Sequence, residues 1–180
     1  MKIIKLIVCI ISLAFLISCS IPNRHNKENE YNNIKVPNGF GFVLMYGVGA
    51  KNIINTFEGT FEKDLITAGT AKTKLNFSDE ELKRIYSIMK SINILDYSSN
   101  YNPPYTDNPD PGVERLVEPH MTYNLYLKIN SKSKDINWKD TNGSDAANAK
   151  ELRNLFRYIE EIIISKEEYN SLPDAVGGYD

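Results

Sequence analysis

A strict alternation of side chains in residues 121–130 is the feature that most constrains the fold. Every second residue there is apolar or aromatic: Tyr123, Leu125, Leu127 and Ile129. Because successive side chains of a strand point to opposite faces of a sheet, this period of two predicts a β-strand with one buried face. Residues 131–134 predict a turn, and residues 135–139, which include Trp138, are expected to return as the hairpin partner.

Three earlier segments predict further strands. Residues 39–46 form a compact apolar run, and residues 70–77 alternate between the two faces of a half-exposed strand. Residues 55–61 place Phe57 and Phe61 on one face at a period of two. Together with the hairpin, these segments predict about five strands.

Two segments show the apolar period of a helix. Residues 78–81, Ser-Asp-Glu-Glu, form a capping box and predict a helix from there to about residue 93. A second helix is predicted over residues 145–164, with Ser144 as its cap. Its apolar stripe consists of Ala149, Leu152, Leu155, Phe156, Ile159, Ile162 and Ile163. Residues 165–168 predict another capping box, which opens a short terminal turn.

The predicted order β-β-β-α-β-β-α, with hairpin-length connections, indicates an α+β fold. We expect a two-layer sandwich in which an antiparallel sheet of about five strands carries two main helices on one face. A single domain over residues 37–180 is expected, because 180 residues make one ordinary domain with appendages. Both cysteines, Cys9 and Cys19, precede that domain, so no disulfide and no cysteine zinc site is predicted.

The amino terminus has the layout of a secretory signal. Lys2 and Lys5 precede a twelve-residue apolar run, residues 6–17. This run is shorter than the roughly 20 apolar residues that a membrane-spanning helix requires, so we predict a signal peptide at residues 1–18. Residues 19–36 are rich in Asn and charged side chains and predict a flexible tether.

Residues 16–19, Leu-Ile-Ser-Cys, resemble the bacterial lipobox. With residues 46–49 (Tyr-Gly-Val-Gly), 61–65 (Phe-Glu-Lys-Asp-Leu) and 168–173 (Glu-Tyr-Asn-Ser-Leu-Pro), the chain resembles small uncharacterised lipoproteins of Gram-positive bacteria. The resemblance implies that Cys19 carries a lipid, which anchors the protein on the extracytoplasmic face of the cell membrane. It implies no particular activity. The alternative is an ordinary signal peptide with a chance cysteine, or an uncleaved anchor.

Charge and motifs narrow the partners. Removal of the predicted signal peptide would take away Lys2 and Lys5. The remaining chain would have 19 basic and 23 acidic residues, a net charge of −4, which argues against a nucleic-acid partner. Residues 46–49 begin like a dinucleotide-binding fingerprint, but Asn52 occupies the place of its third glycine. No cofactor is therefore predicted.

The connection over residues 96–119 is the main candidate for function. It is longer than most loops of compact domains and carries five prolines. Its tyrosines, Tyr97, Tyr101 and Tyr105, offer broad contact area at low entropic cost, so the loop predicts a contact surface for an envelope protein or a cell-wall component. The alternative is an insertion draped over the domain. On this reading the chain is a membrane-anchored, non-enzymatic binding module.

His120 and Glu118 are weaker candidates. His120 is the only histidine of the predicted domain, and acidic residues stand near it in the sequence. A general base or metal ligand at these positions would make the chain an envelope hydrolase or a metal-dependent enzyme. The alternative is a structural or surface histidine.

One segment has the ligand spacing of a calcium-binding EF-hand loop. Its oxygen-bearing residues are Asp140, Asn142, Ser144, Asn148 and Glu151. Asp145, however, occupies the sixth place, where such a loop requires glycine, and a strand instead of a helix is predicted before the segment. The sequence therefore favours a strand-to-helix connection without a metal.

Overall fold

The computed structural model describes residues 34–105 and 116–179. Within these residues six strands form one antiparallel sheet: β1 (Gly41–Gly47), β2 (Asn52–Asn55), β3 (Thr60–Asp64), β4 (Thr70–Lys74), β5 (Thr122–Ile129) and β6 (Lys132–Lys139). Across the sheet the strands run in the order β4-β3-β2-β1-β5-β6. The long connection between β4 and β5 therefore returns the chain to the free side of the first strand.

The predicted hairpin of β5 and β6 is confirmed. Tyr123 lies opposite Trp138, and both side chains are buried. The turn is tighter than predicted, because β6 already begins at Lys132. Asn130 makes this possible with a φ of 54°, a left-handed conformation that asparagine tolerates better than most residues.

Three helices and two short 3-10 turns complete the described chain: α1 (Asp79–Ser91), α2 (Ala147–Ser165), α3 (Glu167–Asn170), Val48–Ala50 and Ile94–Asp96. The capping box of α1 is confirmed. The Glu81 amide donates to Ser78 Oγ at 3.2 Å, and the Ser78 amide donates to Glu81 Oε2 at 2.7 Å. Both ends of this box satisfy amides that the first turn of a helix leaves unpaired.

The two other capping predictions are wrong. Ser144 does not cap α2, because the helix begins only at Ala147 and the Ser144 hydroxyl donates to the Pro104 carbonyl. Ser165 opens no second box, because its hydroxyl donates to the Ile162 carbonyl at 2.7 Å and it ends α2.

The α+β class and the antiparallel sheet are confirmed, with one strand more than the roughly five that the pattern predicted. The predicted strand over residues 55–61 is wrong because a turn interrupts it. Asn55 Oδ1 accepts hydrogen bonds from the amides of Phe57 at 3.0 Å and Glu58 at 3.3 Å, and Gly59 adopts a φ of 62°. Such a side-chain bond to the following amides is a common way to initiate a turn. Phe57 is consequently exposed while Phe61 is buried.

The core lies on one face of the sheet. That face carries the buried side chains Phe42, Leu44, Tyr46, Ile54, Phe61, Tyr123, Leu125, Leu127, Ile136 and Trp138. Phe156 of α2 stacks on Tyr123 with 4.7 Å between ring centroids, and Tyr169 of α3 lies 5.7 Å from Phe61. Met89 of α1 is buried in the same cluster. Each large apolar side chain buried there contributes about 1.5–3 kcal/mol to folding.

None of the helices in the described residues is long and apolar enough to cross a membrane. The predicted signal peptide at residues 1–18, Cys19 and most of the predicted tether lie outside the described residues.

Candidate functional site

The start of the long connection lies along the edge of the sheet, beside β6. The Tyr101 amide donates to the Asn137 carbonyl at 2.9 Å, and the Asn137 amide donates to the Ser99 carbonyl at 2.8 Å. These two bonds form a short parallel bridge that covers the outer edge of β6. The segment is therefore joined to the sheet and is not draped loosely over it.

Three further hydrogen bonds attach the same segment to the chain that leads into α2. Asn142 Nδ2 donates to the Pro103 carbonyl at 3.1 Å, and the Ser144 hydroxyl donates to the Pro104 carbonyl. The Tyr97 hydroxyl donates to the Asn148 carbonyl at 3.0 Å. With both backbone and side chains fixed in this way, the segment presents its remaining groups in one arrangement, which lowers the entropic cost of binding.

The tyrosines of the segment form an aromatic cluster. Tyr97 and Tyr101 lie 5.1 Å apart between centroids, and Tyr101 meets Trp138 edge to face at 5.3 Å. Only 7% of Tyr97 and 8% of Tyr101 is exposed, and burial raises the pKa of each hydroxyl to about 12. Tyr105 is half-buried. Tyr97 and Tyr101 therefore serve mainly as core residues, and they do not form the broad exposed surface that the sequence predicted.

A groove of about 600 Å³ opens beside this cluster. Its walls come from residues 92–104 and from Asn148 at the start of α2, and we call it the 92–104 groove. Six exposed polar residues line it: Asn93, Asp96, Ser98, Asn100, Asn102 and Asn148. Pro103, Pro104 and the narrow exposed parts of Tyr97 and Tyr101 add apolar surface. The volume lies within the roughly 300–1,000 Å³ of typical ligand sites.

The polar lining is almost uncharged. Asp96 is the one ionisable group among these six polar residues, and no lysine or arginine of residues 34–105 and 116–179 lines the groove. The other five carry amides or a hydroxyl, which both donate and accept hydrogen bonds. This lining suits a ligand that has many neutral polar groups.

Four of the five residues with EF-hand spacing make side-chain hydrogen bonds within the protein: Asp140, Asn142, Ser144 and Asn148. Arg153 donates to both oxygens of Asp140, at 2.5 and 3.0 Å, and also to the Ser144 carbonyl at 2.6 Å. The hydrogen bond to Asp140 raises the pKa of Arg153. Asn148 Oδ1 accepts from the next amide along the chain, and Glu151 is exposed on α2. Within residues 34–105 and 116–179, no group of three or more His, Cys, Asp or Glu side chains is placed to hold a metal ion.

His120 and Glu118 are brought together at the surface. His120 Nδ1 lies 3.2 Å from Glu118 Oε2, with His120 half-buried and Glu118 exposed. Neither residue lines the 92–104 groove. They also do not line a cavity of about 240 Å³ beside α1 or a depression of about 290 Å³ on the open sheet face.

The sequence located the segment of the groove but missed the residues that point into it. Asn100 and Asn102 alternate with the buried Tyr101 and Pro103, so a period of two over residues 100–103 separates the exposed side chains from the buried ones. This short alternation is the sequence pattern that indicates Asn100 and Asn102 as groove residues.

No protein-family model, curated protein or solved structure matches the chain. The structure thus defines this chain as an α+β domain with a nearly uncharged groove, and its function is inferred from that groove.

Proposed function

We propose that this chain is a membrane-anchored envelope lipoprotein and that its two-layer α+β domain binds an envelope component in the 92–104 groove. The groove is the observation that carries the proposal. It has the volume of a ligand site, and several hydrogen-bonding side chains line it. Hydrogen bonds to Asn137, Asn142 and Ser144 hold its wall in place.

Binding without catalysis agrees best with the chemistry of the lining. General acid–base or nucleophilic catalysis requires a titratable group placed beside a second one. The titratable groups that share the lining with Asp96 are the hydroxyls of Tyr97 and Tyr101, and burial raises the pKa of each to about 12. The hydrolase alternative depends on His120 and Glu118, which lie outside the groove. No contact of that pair favours an enzyme over a surface hydrogen bond.

The lipid anchor is proposed from the lipobox at residues 16–19. Acyl chains contribute about 0.8 kcal/mol for each buried methylene, so two or three of them hold a protein on a membrane without help from its fold. A flexible tether over residues 19–36 would extend about 20–25 Å on average, which lifts the domain above the lipid head groups. The domain, and the groove with it, would then be exposed to the envelope outside the membrane.

Replacing Cys19 by alanine is expected to abolish acyl labelling and to release the protein from the membrane, because the thiol is the site of lipid attachment. Incorporation of a fatty-acid analogue and the distribution between membrane and medium measure this. Cys9→Ala, within the predicted signal peptide, is the matched control and should leave both unchanged. Acyl labelling that persists in Cys19→Ala would exclude Cys19 as the site of the lipid.

The double variant Asn100→Lys/Asn102→Lys is expected to bind envelope material at least about tenfold more weakly, because two long charged side chains would fill a groove built for neutral groups. Co-sedimentation of the purified full chain, kept in detergent, with insoluble cell-envelope material measures the binding. Asn76→Lys changes an exposed asparagine before α1, at the other end of that helix, and serves as the control. Equal sedimentation of all three proteins would contradict a role for the groove.

A further inference from the structure

We infer that the ligand of the 92–104 groove is a neutral glycan, an inference that rests on the proposed binding function. The groove's chemistry, the state of its backbone groups and its apolar surface separate this ligand class from the two main alternatives, an anionic ligand and a peptide.

Charge argues against an anionic ligand. Sites for phosphate or carboxylate groups supply arginine, lysine or several free backbone amides. The lining of the groove supplies no cation, and Asp96 would repel an anion. Arg153, which reaches the Ser144 carbonyl beside the groove wall, already donates to Asp140 as well. Among the described residues, a polymer rich in phosphate would therefore find no cationic partner in this lining.

The backbone of the wall argues against an extended peptide. Peptides bind along a strand by main-chain hydrogen bonds. Here the carbonyls of Ser99, Asn100, Pro103 and Pro104 already accept hydrogen bonds, and the Tyr101 amide already donates one. The two prolines have no amide hydrogen to offer. These four carbonyls and this amide are thus already paired, which gives the side chains of the wall a larger share of the recognition.

Those side chains match sugar hydroxyl groups. A hydroxyl both donates and accepts, and so do the amide side chains of Asn93, Asn100, Asn102 and Asn148. Asparagine has few rotatable bonds, so fixing it on a ligand loses little entropy compared with longer side chains. Pro104 lines the groove and is exposed, so it offers an apolar surface that the C–H face of a sugar ring can cover.

The test is a binding titration of the purified full chain, in a detergent without sugar head groups, against a defined panel of soluble probes. The panel contains neutral trisaccharides (chitotriose, cellotriose and maltotriose), a trimer of galacturonic acid and a neutral tetra-alanine peptide. We expect at least one neutral trisaccharide to bind and the acidic trimer to bind more weakly. Asn100→Ala/Asn102→Ala should weaken binding of the neutral trisaccharide about tenfold or more, because two or more hydrogen bonds are lost. Asn76→Ala should leave this affinity unchanged.

Three results would overturn the inference: no binding of any neutral trisaccharide, binding that the double variant does not change, or tighter binding of the acidic trimer or the peptide. If envelope co-sedimentation still depends on Asn100 and Asn102 in those cases, the groove binds another class of ligand and the proposed function stands. If that dependence is also absent, the proposed function fails with the inference.

Discussion

Phe61→Ala is expected to lower the free energy of unfolding by about 3–5 kcal/mol, whereas Phe57→Ala should lower it by less than about 1 kcal/mol. Phe61 is 0% exposed in β3, where it lies opposite Ile54 and 5.7 Å from the ring of Tyr169. Its removal leaves a cavity between the sheet and α3 that the rigid strands cannot close. Phe57 stands on the turn before β3 and is 48% exposed.

Urea unfolding of the purified full chain measures both variants. Trp138 is the only tryptophan and is 1% exposed, so its fluorescence reports the loss of the core. The two phenylalanines are four residues apart and undergo the same chemical change, so each is the control for the other. Equal losses would mean that residues 55–61 form one strand, as the alternation alone predicted, and that the turn at Gly59 is wrong.

Phe57 and Phe61 also show why the sequence pattern predicts a strand over residues 55–61 where the structure has a turn. The alternation of residues 121–130 has one interpretation, because four apolar positions in succession repeat without a break. Residues 55–61 contain only two apolar positions at this spacing, Phe57 and Phe61. The same sequence is compatible with a turn, because the Asn55 side chain accepts hydrogen bonds from the amides that follow it. The polar ending of β3, Glu-Lys-Asp, concealed the strand further, although Lys63 is buried with its ammonium 4.5 Å from the Tyr169 ring.

The groove was only partly predictable for a different reason. A local pattern identifies residues 96–119 as an unusual connection, but which side chains are exposed depends on the pairing of Asn100 with Asn137, far away in the sequence. That pairing turns Tyr101 into the core and leaves Asn100 and Asn102 outside. Periodicity within a segment cannot reveal a partner outside it, so the tyrosines looked like the contact residues.

Asp140→Ala is expected to lower the free energy of unfolding by about 2–3 kcal/mol, because the partly buried guanidinium of Arg153 then keeps only the Ser144 carbonyl as a hydrogen-bond partner. Asp140 is 8% exposed at the end of β6, and Arg153 reaches it from α2 with two hydrogen bonds. The Arg153 guanidinium also lies 5.0 Å over the ring of Trp138. The pair therefore joins the edge strand of the sheet to the longest helix, beside the wall of the groove.

The same urea titration, with and without a calcium chelator, separates this account from the EF-hand alternative. Asp135→Ala, on the exposed face of β6, is the matched control and should change stability by less than about 0.5 kcal/mol. The double variant Asp140→Ala/Arg153→Met should recover part of the loss, because it removes the unpaired charge together with its partner. An ion pair gives this pattern at any calcium concentration. A loss that appears only with calcium present would instead show that Asp140 holds the cation, and the connection between β6 and α2 would then be a metal site whose occupancy sets the shape of the groove wall.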